Sequence, residues 1–86
     1  MKDKHYFSGI EEINLHGMTV YQAEITIDSR LKKAGREVYR LRLIHGYHGG
    51  TAIRDMVRER YTRHPKVIRI EFGLNAGETD LILREL

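Results

Sequence analysis

Leu43-Ile44-His45-Gly46-Tyr47-His48-Gly49-Gly50 is the stretch on which the fold turns. Before it, Tyr39, Leu41 and Leu43 alternate with Arg40 and Arg42, the period of a strand with one wet face. After it, Ile53, Met56, Val57 and Tyr61 recur at helical spacing. A strand thus passes through histidines and glycines into a helix. The same order occurs earlier in the chain. Ile13 and Leu15 alternate with Glu12 and Asn14, then His16 and Gly17 follow. Val20, Ala23, Ile27, Leu31 and Ala34 then form an apolar stripe at steps of three and four.

Punctuation outside these two units completes the outline. Thr19 stands three residues before Gln22, the pattern of a capping box at the start of the first helix. Gly35 sits where a helix end wants a left-handed residue. His64 and Pro65 close the second helix, because the residue before proline leaves the α region. Ile68, Ile70 and Phe72 alternate with Val67, Arg69 and Glu71 in a third strand. Gly73-Leu74-Asn75-Ala76-Gly77 reads as a turn. Leu81 and Leu83 alternate with Asp80 and Arg84 in a fourth strand.

A strand-helix-strand unit brings its strands parallel by a right-handed crossover, and a short turn makes the last two strands a hairpin. Every strand keeps a polar face, unlike the continuous apolar runs of a sheet covered on both sides. The expected fold is α/β: a two-layer β-α-β-α-β-β sandwich, with a four-stranded mixed sheet and both helices on one face. Residues 1–9 are expected to form a flexible arm and residues 10–86 a single domain.

Composition narrows the function. The chain has 86 residues and no cysteine, which excludes a disulfide framework and a thiolate zinc site. No apolar run approaches the roughly 20 residues that span a bilayer. The N-terminus lacks the apolar core of a signal peptide, so a cytoplasmic protein without a membrane partner is expected. Net charge is only +3, but residues 30–66 hold 11 Lys/Arg against 3 Asp/Glu. That concentration suits a polyanion, although a solvated helix face would look the same.

The two histidine-glycine corners supply candidate chemistry. Parallel strands end at one sheet edge, so His16 and His45 are expected at a common carboxyl rim, where open α/β sheets hold ligands. Ideal strand parity sends the rings to opposite faces, because His45 follows Leu41 and Leu43 while His16 opposes Leu15. Gly46, Gly49 and Gly50 let backbone amides approach a phosphate at a helix N-terminus. Imidazole can exchange a proton near neutrality. Each feature also has a plain reading: a tight turn for the glycines, a loop hydrogen bond for a histidine. Metal ligation by His16, His45 and His48 lacks a nearby carboxylate in either motif. His5 and His64 read as surface residues.

Over residues 13 to 83 the chain resembles a small MutS-related (Smr) domain. The family's leucine-aspartate-leucine-histidine-glycine motif corresponds to Ile13-Asn14-Leu15-His16-Gly17. Its His-Gly-x-Gly motif corresponds to Ile44 through Gly50, leading into Ala52-Ile53-Arg54. Gly73, Asn75, Gly77 and Thr79 before Leu81-Ile82-Leu83 match its third motif, a glycine-bearing turn. The resemblance implies a fold like the C-terminal domain of translation initiation factor three, and nuclease activity on DNA or RNA, with branched DNA or ribosomal RNA as partners. Two positions depart from the pattern. Asn14 replaces an aspartate and cannot act as a base. His48 stands where a glycine is expected, with Gly49 displaced after it.

On this reading His16 and His45 are the acid and base, with His48 available for either role. Asn14, Gly46, Gly49 and Gly50 border the phosphate, and Arg40, Arg42, Arg54 and Arg58 hold the nucleic-acid backbone. Cleavage of RNA would use its 2′-hydroxyl, whereas cleavage of DNA would call for a divalent cation as cofactor. The alternative is a binding module for nucleic acid or ribosomes that has lost cleavage.

Overall fold

The computed structural model describes residues 9–46, 51–72 and 75–85. The elements follow the expected order: β1 (Ile10–Asn14), α1 (Val20–Lys33), β2 (Arg40–Ile44), α2 (Ala52–Tyr61), β3 (Arg69–Phe72) and β4 (Glu78–Ile82). They form one mixed sheet in the order β1-β2-β4-β3. β1 and β2 are parallel, with Ile13 opposite Leu43 and Asn14 opposite Ile44. β4 lies antiparallel to both β2 and β3, with Leu81 opposite Leu41 on one side and Ile70 on the other. The last strand therefore inserts beside β2 and leaves β3 on the edge.

Of the arm expected over residues 1–9, residues 1–8 lie outside the described residues. Gly9 is buried at φ +73°, and its carbonyl accepts the amides of Tyr39 at 2.9 Å and Arg40 at 3.3 Å. The chain is therefore anchored to the start of β2 just before β1 begins.

Alternation along the strands puts Ile13, Leu41, Leu43 and Leu81 on one face, in a core shared with both helices. Ala23, Ile27 and Leu31 are the buried stripe of α1, and Val57 and Tyr61 that of α2. Each fully buried aliphatic side chain contributes about 1.5–3 kcal/mol. Tyr61 also joins the helices: its hydroxyl donates to Asp28 Oδ1 at 2.6 Å, and Arg60 Nη2 donates to Asp28 Oδ2 at 2.9 Å. Burial alone would raise the Asp28 carboxyl, but these bonds outweigh it and hold it below the ordinary carboxylate range. Their support is therefore present at neutral pH and is lost as pH falls through the lowered value.

The other sheet face is polar but not simply wet. Asp80 is 1% exposed. Arg40 Nη1 reaches its Oδ2 at 2.6 Å and Arg42 Nη2 at 3.1 Å, with Glu71 and Glu78 flanking the pair. Hydrogen bonding to Asp80, more than burial opposes it, raises both guanidinium groups above their usual value.

Two local expectations are corrected. Gly35 does not adopt a left-handed conformation: α1 ends at Lys33 and leaves through Ala34, an extended residue at φ −62°, ψ 125°. Lys66 Nζ instead caps the Leu31 carbonyl at 2.9 Å, and the bare Gly35 makes room for the Glu37 carboxylate. The third strand starts later than the alternation suggests. Val67 is buried in the turn after Pro65, whereas Ile68 and Phe72 are exposed.

Candidate functional site

Because β1 and β2 are parallel, their carboxyl ends share one rim. The Leu15 amide donates to the Ile44 carbonyl at 2.8 Å, extending the pairing past β1. The next step of that register sets His16 beside Gly46. Asn14 shapes the corner, since its Oδ1 accepts the His16 backbone amide at 2.9 Å. An asparagine oxygen can accept this bond as a carboxylate would, though without the charge that strengthens it. Gly17 then turns the chain at φ +85°. Thr19 opens α1 with the expected capping box, accepting the Gln22 amide at 3.1 Å while Gln22 Oε1 accepts the Thr19 amide at 3.0 Å.

The second corner is built differently. His45 is 8% exposed and turned toward the core. Its Nδ1 lies 2.8 Å from the Gly46 carbonyl and its Nε2 lies 2.8 Å from Thr79 Oγ1. A carbonyl oxygen only accepts, so Nδ1 carries the proton and, in the neutral ring, Nε2 accepts from the Thr79 hydroxyl. Both nitrogens are thus engaged. The amides of His45 and Gly46 both donate to the Gly77 carbonyl, at 3.0 and 2.9 Å. Gly46 therefore offers no free amide to a ligand. Its service is steric: a Cβ there would come within 2.8 Å of the His16 ring.

Strand parity and convergence both hold in part. His45 points inward and His16 outward, yet both border one cleft of about 470 Å³ whose far wall is the start of α2. Among the described residues no side chain caps that helix: the Thr51 hydroxyl donates to Asp55 Oδ2 at 2.9 Å instead. Arg54 also lines the cleft. Its Nε is buried and has no hydrogen-bond partner among the described residues; Asp55 Oδ1, at 3.8 Å, forms an ion pair with it but lies beyond hydrogen-bonding distance. A donor without an acceptor beside an uncapped helix N-terminus favours an anion.

The remaining sequence-predicted residues divide into groups. Arg40 and Arg42 lie on the open sheet face, held by Asp80, so their charge is largely matched within the protein. Arg58 lies one turn beyond Arg54 and stacks on Phe72, its Cζ 4.3 Å from the ring centroid. His48, Gly49 and Gly50 lie outside the described residues. Sequence reasoning missed Thr79 and Gly77 as the partners of the second corner. The signals were their place in the third motif and the parity of Thr79, a polar residue that shares the core-facing side of Leu81. The donors at the rim do not fit a resident metal ion: both His45 nitrogens are engaged, and no group of three or more His, Cys, Asp or Glu among the described residues could hold one.

The family model described as Smr domain matches residues 13–79, from the first core residue of β1 to the threonine that holds His45. The chain belongs to the Smr domain family. The crystal structure of the Smr domain of Thermus thermophilus MutS2 is similar, at 31% identity and a TM-score of 0.78, over 87% of this chain and 99% of that one. No curated protein matches the chain. Smr domains generally bind nucleic acid, and some members are nucleases. No helix among the described residues of this Smr domain is long and apolar enough to cross a membrane.

Proposed function

We propose that this Smr domain binds the phosphodiester backbone of a nucleic acid in the rim cleft and cleaves it with His16 as the proton-transfer group. The observation that carries the reading is Arg54 Nε, a buried donor with no hydrogen-bond acceptor among the described residues, in a cleft that an exposed imidazole borders. A phosphate oxygen supplies that acceptor, and the uncapped start of α2 adds partial positive charge. With RNA, His16 takes the proton of the 2′-hydroxyl as its oxygen attacks phosphorus. The bond from phosphorus to the 5′-oxygen breaks, and the imidazolium returns the proton to that leaving oxygen. His45 is a positioning residue here. It holds Gly46 beneath His16 and ties the rim to β4 through Thr79.

A second reading, binding without cleavage, has its own support. His45 has no free nitrogen, which leaves His16 as the sole unengaged imidazole at the cleft among the described residues. Labelled RNA and plasmid DNA, incubated with the wild type and His16→Ala with and without chelator, separate the two. Products from the wild type that vanish with His16→Ala support cleavage. Salt-dependent retention of both nucleic acids without product assigns the binding module. Cleavage undiminished in His16→Ala removes His16 from the chemistry.

A further inference from the structure

We propose that Phe72, with Arg58 laid on it, is a stacking platform for an unpaired nucleobase next to the rim cleft, so that the substrate is single-stranded or carries an extruded base. The proposal rests on the phosphate-binding reading of the cleft and deepens it. Phe72 is an aromatic side chain left 55% exposed at the end of an edge strand. It is part of the same rim: Phe72 stands opposite Thr79 on β4, and Thr79 stands opposite Leu43 on β2 and bonds His45. Two strand spacings, about 10 Å, separate it from β2. Arg58 connects the places from above, one helical turn and about 6 Å along α2 from Arg54. Between Arg58 of α2, Thr62 just past its end, Ile68 just before β3, and Arg69, Ile70 and Phe72 of β3 lies a shallow groove of about 440 Å³.

The groove's chemistry selects its occupant. Its floor is aromatic and aliphatic, and it is lined by two guanidinium groups: Arg58, which lies on Phe72 and forms no ion pair among the described residues, and Arg69, which is paired with Glu71 and Glu85. An aliphatic protein segment would gain nothing from that charge. A base stacks on a ring and a guanidinium plane while its phosphate stays near the cation. A base still inside a duplex presents no face, so the platform reads unpaired nucleotides only.

The chain contains no tryptophan, so Phe72→Trp places a single indole reporter on the platform. Binding is followed by anisotropy with a labelled short single strand, as DNA and as RNA, and with the blunt duplex of each. Phe72→Trp emission should be quenched as the single strand binds. Phe72→Ala should weaken single-strand binding by roughly 5- to 100-fold, with duplex binding unchanged and Phe72→Tyr restoring affinity. Wild-type affinity in Phe72→Ala, or unchanged indole emission while the strand binds, overturns the platform and leaves the cleft reading standing. Equal losses for single strand and duplex also overturn it. A wild type that binds neither form removes the cleft reading and the platform together. A wild-type dimer that Phe72→Ala converts to monomer assigns the groove to a second copy instead.

Discussion

The protein contains two strand-histidine-glycine-helix corners, and they have divided the work. In the first, the helix is closed by its own capping box and the histidine is exposed. In the second, the histidine is buried with both nitrogens engaged, and the helix has no side-chain cap among the described residues. Both corners turn on a glycine with positive φ. The difference shows that a repeated motif need not mean a repeated role. The free imidazole comes from one corner and the open helix N-terminus from the other. Parallel pairing of β1 and β2 brings the two complementary halves to one cleft.

Replacing each histidine in turn tests this division most severely. His16→Ala is expected to lower cleavage at least 100-fold, the scale of a lost general acid-base group, with little change in thermal stability. His45→Ala is expected to show the opposite emphasis. It leaves the buried Thr79 hydroxyl without its ring partner, so stability falls by about 1–3 kcal/mol, read by urea denaturation. A His45→Ala protein as stable as the wild type would break the comparison, because the second histidine would then not be holding the rim.

The two glycines make a matched pair. Gly17→Ala meets nothing within 4 Å, so only the left-handed backbone opposes it, at about 1–2 kcal/mol. Gly46→Ala carries the same backbone cost and also drives a methyl to 2.8 Å from the His16 ring. It should therefore destabilise by about 1 kcal/mol more and move the ring. The expected signature is a loss of cleavage in Gly46→Ala that exceeds the loss in Gly17→Ala at equal folded fraction. Equal losses would mean that His16 does not depend on the second corner for its place.

What was legible in the sequence follows the same line. Element order, the mixed sheet and the capping box could be read because period and punctuation are local, and Thr19 with Gln22 states its geometry within one turn. The division of roles could not be read. Whether a rim histidine faces out or in depends on a partner 34 residues away, Thr79, which only the insertion of β4 beside β2 supplies. Arg40 and Arg42 looked like cations for a phosphate backbone until the same insertion placed Asp80 between them. Their charge alternates correctly for an open face, but long-range pairing decides whether it is available. Phe72 shows the same limit: alternation assigns it to the core, and its place at the end of an edge strand exposes it.

Arg54→Ala tests what the second corner contributes to binding. It removes one cation from the cleft and should lower the slope of log affinity against log salt by about 1. Arg40→Ala should leave that slope nearly unchanged, because its partner is Asp80. If Arg40→Ala produced the larger change in slope, nucleic acid would lie on the open sheet face and the rim cleft would lose its assignment.

The smallest expected effect sharpens the comparison most directly, because it concerns the caps themselves. Thr19→Ala removes an acceptor that satisfies the Gln22 amide, and should cost about 1 kcal/mol in a denaturant titration. Thr51 makes no cap bond, and its hydroxyl donates to the exposed Asp55 carboxylate, so Thr51→Ala should cost no more than about 0.5 kcal/mol. Added inorganic phosphate should stabilise the wild type and the Thr51→Ala protein alike, because the Thr51 side chain caps no amide of α2 in either. If Thr51→Ala cost as much as Thr19→Ala, the threonine hydroxyl would be closing the helix in solution. The second corner would then be capped like the first, with one amide fewer to offer an anion.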